Sequence, residues 1–197
     1  MANRLSVALT TVRGVLDPQR RFSPEHFLSA DKDAVALNLD AVDIDVERFL
    51  SATDDGLDCL RRGDVARGLP ALSSATVLYA GDFLEENPYD DWAVSLREEA
   101  RAAYVAALRL LARHANDPDA AVTHLLRILE TDRYDEQAHV GLVRALADAG
   151  RHGEAHRHYL NYRRAMDELG VEPAPFPGSR GGKPPGSDRA ASAFSQP

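Results

Sequence analysis

Residues 104–137, YVAALRLLARHANDPDAAVTHLLRILETDRYDEQ, run into residues 138–162, AHVGLVRALADAGRHGEAHRHYLNY, and the two stretches carry one pattern 34 residues apart. Tyr104, Leu108, Leu111, Ala112 and Ala115 recur as Ala138, Leu142, Ala145, Leu146 and Ala149, while Ala121, Leu125 and Ile128 recur as Ala155, Tyr159 and Tyr162. The spacing within each set is helical, so each copy reads as two amphipathic helices. Small Ala121 and Ala155 mark positions where two helices approach closely. An earlier and weaker copy starts at Gly63 and Asp64, with Gly68 in the place of those alanines.

One helical hairpin cannot bury its own stripe, so copies of this length must pack against one another. A period of 34 with paired stripes is the tetratricopeptide arrangement, for which about three hairpins are the minimum stable stack. The expected fold is therefore mostly α. Composition agrees, since 197 residues with 44% apolar and 7% aromatic side chains can bury one sizeable core or two small ones.

Formal net charge is −8, so nucleic-acid binding cannot be a property of the whole surface and would need a local basic patch. Residues 1–22 carry Arg4, Arg13, Arg20 and Arg21 against Asp17 alone, a local charge of +3. Residues 31–60 hold nine acidic side chains against Lys32 and Arg48, a local charge of −7 that would repel DNA. From Pro173 onward proline and glycine dominate with almost nothing apolar, so residues 173–197 are expected to be a disordered tail. The lone Cys59 excludes a disulfide framework and points to a reducing compartment. The first apolar stretch, Leu5 to Leu16, is broken by Thr10, Thr11 and Arg13 and suits neither a signal peptide nor a membrane span, so the expected location is the cytoplasm.

Between the first and second copies lies Tyr79 to Trp92, with Gly81, Pro88 and four aromatics too close together to share one helix face. A folded loop packed on the stack is expected, with Trp92 opening the long helix that includes Leu96. The pairs Glu85–Glu86 and Asp90–Asp91 read as solvated charges rather than a general acid and base. His152, His156 and His158 lack the intervening Glu and any cysteine that a zinc site needs. His124 and His158 hold equivalent repeat positions, which fits a role set by the repeat. Cys59 has no flanking base and reads as a buried thiol. GSRGGK, residues 178–183, lacks the Ser or Thr, strand and helix of a phosphate loop. Neither an enzyme activity nor a metal or cofactor is expected.

At the amino terminus, Leu5, Leu9, Val12 and Leu16 form the stripe of a helix from about residue 2 to residue 16. Its opposite side presents Asn3, Val7, Thr10 and Gly14, flanked by Arg4 and by Ser6 and Arg13. Small polar groups between arginines suit a major groove. Asp17 and Pro18 stop the helix, Arg20 and Arg21 follow in a loop, and Phe27–Ala30 and Ala34–Leu39 read as two short strands.

These residues also carry a resemblance. NRLSVALTTVRGVLDP (3–18), the hairpin and VDIDVERFL (42–50) resemble the recognition helix, wing and domain junction of the antibiotic-regulatory-protein (SARP) family of actinobacterial transcription regulators. In that family the winged helix begins well upstream, so Met1 falls inside the recognition helix and the chain would be an amino-terminally truncated regulator. Residues 43–175 resemble the bacterial transcriptional activator domain that follows, on LYAGDFLEENPYDDW (78–92), the Tyr-Asp-Glu at 134–136 and ELGVEP (168–173).

The resemblance implies a partial winged helix over 1–42, one helix plus a β-hairpin, and an activator domain of helical repeats over 43–172. It implies Asn3, Arg4, Ser6, Thr10 and Arg13 on the groove, Arg20 and Arg21 on phosphate, and DNA, RNA polymerase or a second regulator chain as partners, a homodimer included. The alternative is a stand-alone helical-repeat interaction module without DNA binding, because a recognition helix without supporting helices is not held at a fixed angle.

Overall fold

A computed structural model describes residues 2–31 and 33–177, with residues 2 and 3 described by their backbone alone. The described residues form seven helices and one hairpin, a mostly α fold. In chain order these are α1 (Ala2–Leu16), β1 (Leu28–Ala30), β2 (Val35–Leu37), α2 (Asp45–Arg61), α3 (Val65–Leu78), α4 (Asp91–Arg113), α5 (Pro118–Thr131), α6 (Glu136–Asp148) and α7 (His152–Glu168). The chain divides into two compact units, with the division after Ala107 inside α4.

In the first unit α2 packs on α3. Their separation is set by glycine: a Cβ on Gly56 would stand 2.8 Å from a Leu72 methyl, and one on Gly68 would stand 2.7 Å from Leu60. Those distances are shorter than side chains tolerate, so the two helices lie closer than alanine at either position would permit. The turn between them uses Gly63 at positive φ, while the Asp64 carboxylate accepts from the Arg67 N–H at 3.1 Å to open α3. Phe49 is buried against Tyr79, and Tyr79 stacks on Tyr104 of α4 with ring centroids 4.1 Å apart.

The loop from α3 to α4 is organised by buried Arg97, in the second turn of α4. Its Nε donates to the Phe83 carbonyl at 2.9 Å, Nη1 to Pro88 at 3.1 Å, and Nη2 to both Leu84 and Asn87 at 3.3 and 3.2 Å. Four main-chain acceptors thus close on one guanidinium, whose planar fork of donors suits that geometry. Leu84 is held at a φ of 51°, a left-handed conformation uncommon for leucine that persists where surrounding bonds enforce it. Nearby, the Tyr79 hydroxyl donates to Asp82 at 2.7 Å, and Asp82 is ion-paired with Arg101. Burial and the Asp82 carboxylate raise the Tyr79 phenol, and the Arg101 bond lowers the Asp82 carboxyl.

The loop does fold, but two of its four aromatics do not pack as expected. Tyr79 and Phe83 are half-buried, whereas Trp92 is 70% exposed and Tyr89 is 94% exposed. Helix α4 begins at Asp91, with Trp92 in its first turn as expected.

In the second unit α6 packs on both α5 and α7. Burial follows the 34-residue register: Leu108 and Leu142, Leu111 and Ala145, and Ile128 and Tyr162 are buried as pairs of equivalents. Asp135 caps α6 by accepting from the Ala138 N–H at 2.9 Å, and the same carboxylate is ion-paired with Arg109 at the end of α4. The chain does not leave the fold at Pro173. Tyr162 accepts from the Ala174 N–H at 2.7 Å and donates to Glu136 at 2.6 Å, Tyr159 donates to the Ala174 carbonyl at 3.1 Å, and Phe176 packs edge-on against Tyr159. Burial and Glu136 push the Tyr162 phenol up to about 12. The expected tail is therefore corrected for residues 173–177, which are ordered against α7. The remainder of the expected tail, with GSRGGK, lies outside the described residues.

Two outcomes follow. Residues 43–177 expressed alone should show strong helical circular dichroism and a cooperative melt, because the contacts above lie within that span; a weakly helical chain with no cooperative transition would contradict this. Arg97→Ala should destabilise the protein by about 2 kcal/mol, the range for hydrogen bonds to a charged group, and expose the 82–90 loop to limited proteolysis. Unchanged cleavage would mean that the loop does not depend on Arg97.

Candidate nucleic-acid interface

Helix α1 carries the polar side expected of it. Arg4, Ser6 and Thr10 are exposed, while the side chain of Asn3 lies outside the described residues. The Thr10 hydroxyl donates to the Ser6 carbonyl at 2.8 Å, and Thr11 repeats the bond to Val7 at 3.0 Å. These back-bonds leave the threonine methyls on the surface.

Arg13 is placed differently from the others. It is half-buried, and its Nη2 donates to the Leu28 carbonyl on β1 at 3.1 Å. Its guanidinium therefore joins α1 to the hairpin. Sequence reasoning placed it on the groove flank because a helical projection does not show which carbonyls lie beside that flank.

The turn after α1 is ordered by its own acid. Asp17 accepts from the Phe22 N–H at 2.8 Å, and the backbone bonds from Arg21 and Phe22 hold its carboxyl below the usual range. Arg20 sits at a φ of 51° with its N–H bonded to the Asp17 carbonyl at 3.1 Å. Arg20 and Arg21 are both exposed from this fixed turn.

The hairpin pairs antiparallel, Leu28 with Leu37 and Ala30 with Val35, so the strands are shorter than the sequence suggested. Asp31 forms an Asx turn, accepting from the Asp33 and Ala34 N–H groups at 2.8 Å each, and these bonds lower its carboxyl. Asp31 and Asp33 place negative charge at this tip, whereas the Arg20–Arg21 turn presents positive charge. The apolar stripe of α1 is unevenly covered: Leu9 and Leu16 are half-buried, but Leu5 and Val12 are 52% and 44% exposed.

Among the described residues no three His, Cys, Asp or Glu side chains are grouped so as to hold a metal ion. His152 and His156 are exposed, and His124 is half-buried. His139 donates from Nε2 to the Arg133 carbonyl at 2.9 Å, because a carbonyl can only accept, and its Nδ1 then accepts from Nε2 of His158 at 3.1 Å. Burial and the facing His139 push His158 down to about 4. This pair, which sequence spacing did not reveal, links α6 to α7 near the Tyr162 ring. Cys59 is half-buried on α2. Glu85, Glu86, Asp90 and Asp91 are exposed, as solvated charges would be. Among the described residues no helix is long and apolar enough to cross a membrane.

These features define a mostly helical protein of paired helices, with a helix and hairpin ahead of them. Residues 44–176 match the bacterial transcriptional activator domain, and the chain belongs to that family. No curated protein matched the chain.

The histidine pair makes the second unit sensitive to pH. His158 binds its proton more weakly folded than unfolded, so its contribution is complete above about pH 6.5 and is lost as pH falls from there toward 4. Urea denaturation of His158→Gln should show a shallower fall in stability over that window than the unaltered protein. Equal slopes would contradict the assignment.

Proposed function

We propose that the chain acts as a DNA-binding transcriptional regulator of the SARP type, with residues 1–42 as its DNA-binding region and 43–172 as its activator domain. One observation carries this reading: α1, a locked Arg20–Arg21 turn and a hairpin follow in succession, and Arg13 bonds helix to hairpin. On this reading Asn3, Arg4, Ser6 and Thr10 meet base edges and neighbouring phosphates, Arg20 and Arg21 hold phosphate, and Arg13 positions the helix. The repeats would contact RNA polymerase or a second regulator chain, a second copy included, in the cytoplasm.

The second reading, an interaction module without DNA binding, is favoured by the exposure of Leu5 and Val12 on α1 and of Val35 and Leu37 on the hairpin. A helix whose stripe is half bare is weakly braced, so this chain is expected to bind DNA weakly and with little sequence preference. At physiological salt the expected dissociation constant is about 10⁻⁶–10⁻⁴ M. Fluorescence anisotropy with a labelled direct-repeat duplex at two salt concentrations tests both readings. Arg20→Ala with Arg21→Ala should weaken every duplex alike and reduce the salt slope by about one per lost contact, while Thr10→Ala should change the preferred base. No binding at low salt, or a slope indifferent to both arginines, would leave the module reading.

A further inference from the structure

Tyr89, at the end of a tightly held loop, and Trp92, in the first turn of α4, both stand in solvent. Large aromatics with one wet face are the side chains that most often anchor protein contacts. Trp92 meets Phe83 edge-on with centroids 6.2 Å apart. Phe83 lines a cavity of about 350 Å³ whose wall includes Phe49 and Tyr79 and whose rim includes Glu85 and Glu86. The exposed aromatic therefore adjoins, through Phe83, a recess lined by both apolar and acidic side chains within the first unit.

Charge says what would fit. Glu85, Glu86, Asp90 and Asp91 make no ion pair among the described residues, and the nearby cations are already engaged. Arg97 is enclosed by four carbonyls, and Arg101 pairs with Asp82 and Glu98. The four carboxylates thus lack a local partner, and phosphate would be repelled from them. The Arg97 bonds also fix the loop beforehand, which reduces the ordering cost of docking.

We propose that this face docks a basic segment of a partner protein, with an arginine or lysine against the Trp92 ring and the acidic rim, and an adjacent apolar side chain in the recess. A cation over an indole face is the strongest arrangement of its kind. The proposal is independent of whether α1 binds DNA.

Trp92 is the chain's one tryptophan, so its emission reports directly on this surface. The full chain is titrated with an amidated eight-residue peptide of alternating arginine and leucine, and separately with its glutamate–leucine counterpart. The basic peptide should shift Trp92 emission saturably and the acidic one should not. Glu85→Gln with Glu86→Gln should weaken binding about tenfold, the scale of two screened charge contacts. Asp54→Asn with Asp55→Asn, an equal charge loss on α2, should leave it unchanged. Circular dichroism confirms that both variants are folded; should the loop variant unfold, Asp90→Asn with Asp91→Asn carries the same expectation. A flat titration, an equal response to both peptides, or equal weakening by the α2 variant would overturn the proposal. So would an emission shift that grows with protein concentration alone, since a second copy would then cover the face.

Discussion

The guanidinium of Arg97 closes the segment between the first and second helical hairpins. That segment interrupts the 34-residue period, so no equivalent residue in the later copies supports it. Its backbone turns through a left-handed leucine and presents four carbonyls inward, each of which would cost free energy if left unpaired away from water. One side chain from α4 donates to all four, and two of them, Leu84 and Asn87, also accept from the Asn87 and Asp90 N–H groups. The segment is thereby tied to α4 just ahead of exposed Tyr89 and Trp92.

Beyond that clamp, the fold relies on close approach and on reused polar groups. Gly56 and Gly68 bring α2 and α3 together in the first unit. Asp135 caps α6 while pairing with Arg109, and Tyr162 joins Glu136 to the backbone of Ala174 in the second. Each of these groups serves two elements at once, which makes the helix ends part of the packing rather than frayed margins.

The repeat was legible in the sequence because its stripes are apolar and recur in register, and Ile128 with Tyr162 or Leu108 with Leu142 can be matched by position alone. The hairpin and the stop at Asp17 were legible from turn chemistry. Arg97 was not, because its partners are main-chain carbonyls, which have no residue identity to read. The direction of Tyr89 and Trp92 was lost for a related reason: aromatic character indicates a wish for contact without saying whether the contact is internal. Residues 173–177 were misjudged because proline-rich composition hid the backbone bonds that Tyr159 and Tyr162 make to Ala174. In the candidate interface, Arg13 was assigned by helical projection, and its true partner, the Leu28 carbonyl, belongs to another element.

Time-resolved anisotropy of Trp92 tests the central role of Arg97 most directly. With the loop clamped, the indole, in the first turn of α4 and edge-on to Phe83, should emit as a solvent-exposed tryptophan and depolarise mainly at the rate of overall tumbling. Arg97→Ala should add a fast component on the nanosecond scale of loop motion. A fast component already dominant in the unaltered protein, or decays identical in the two, would contradict the account.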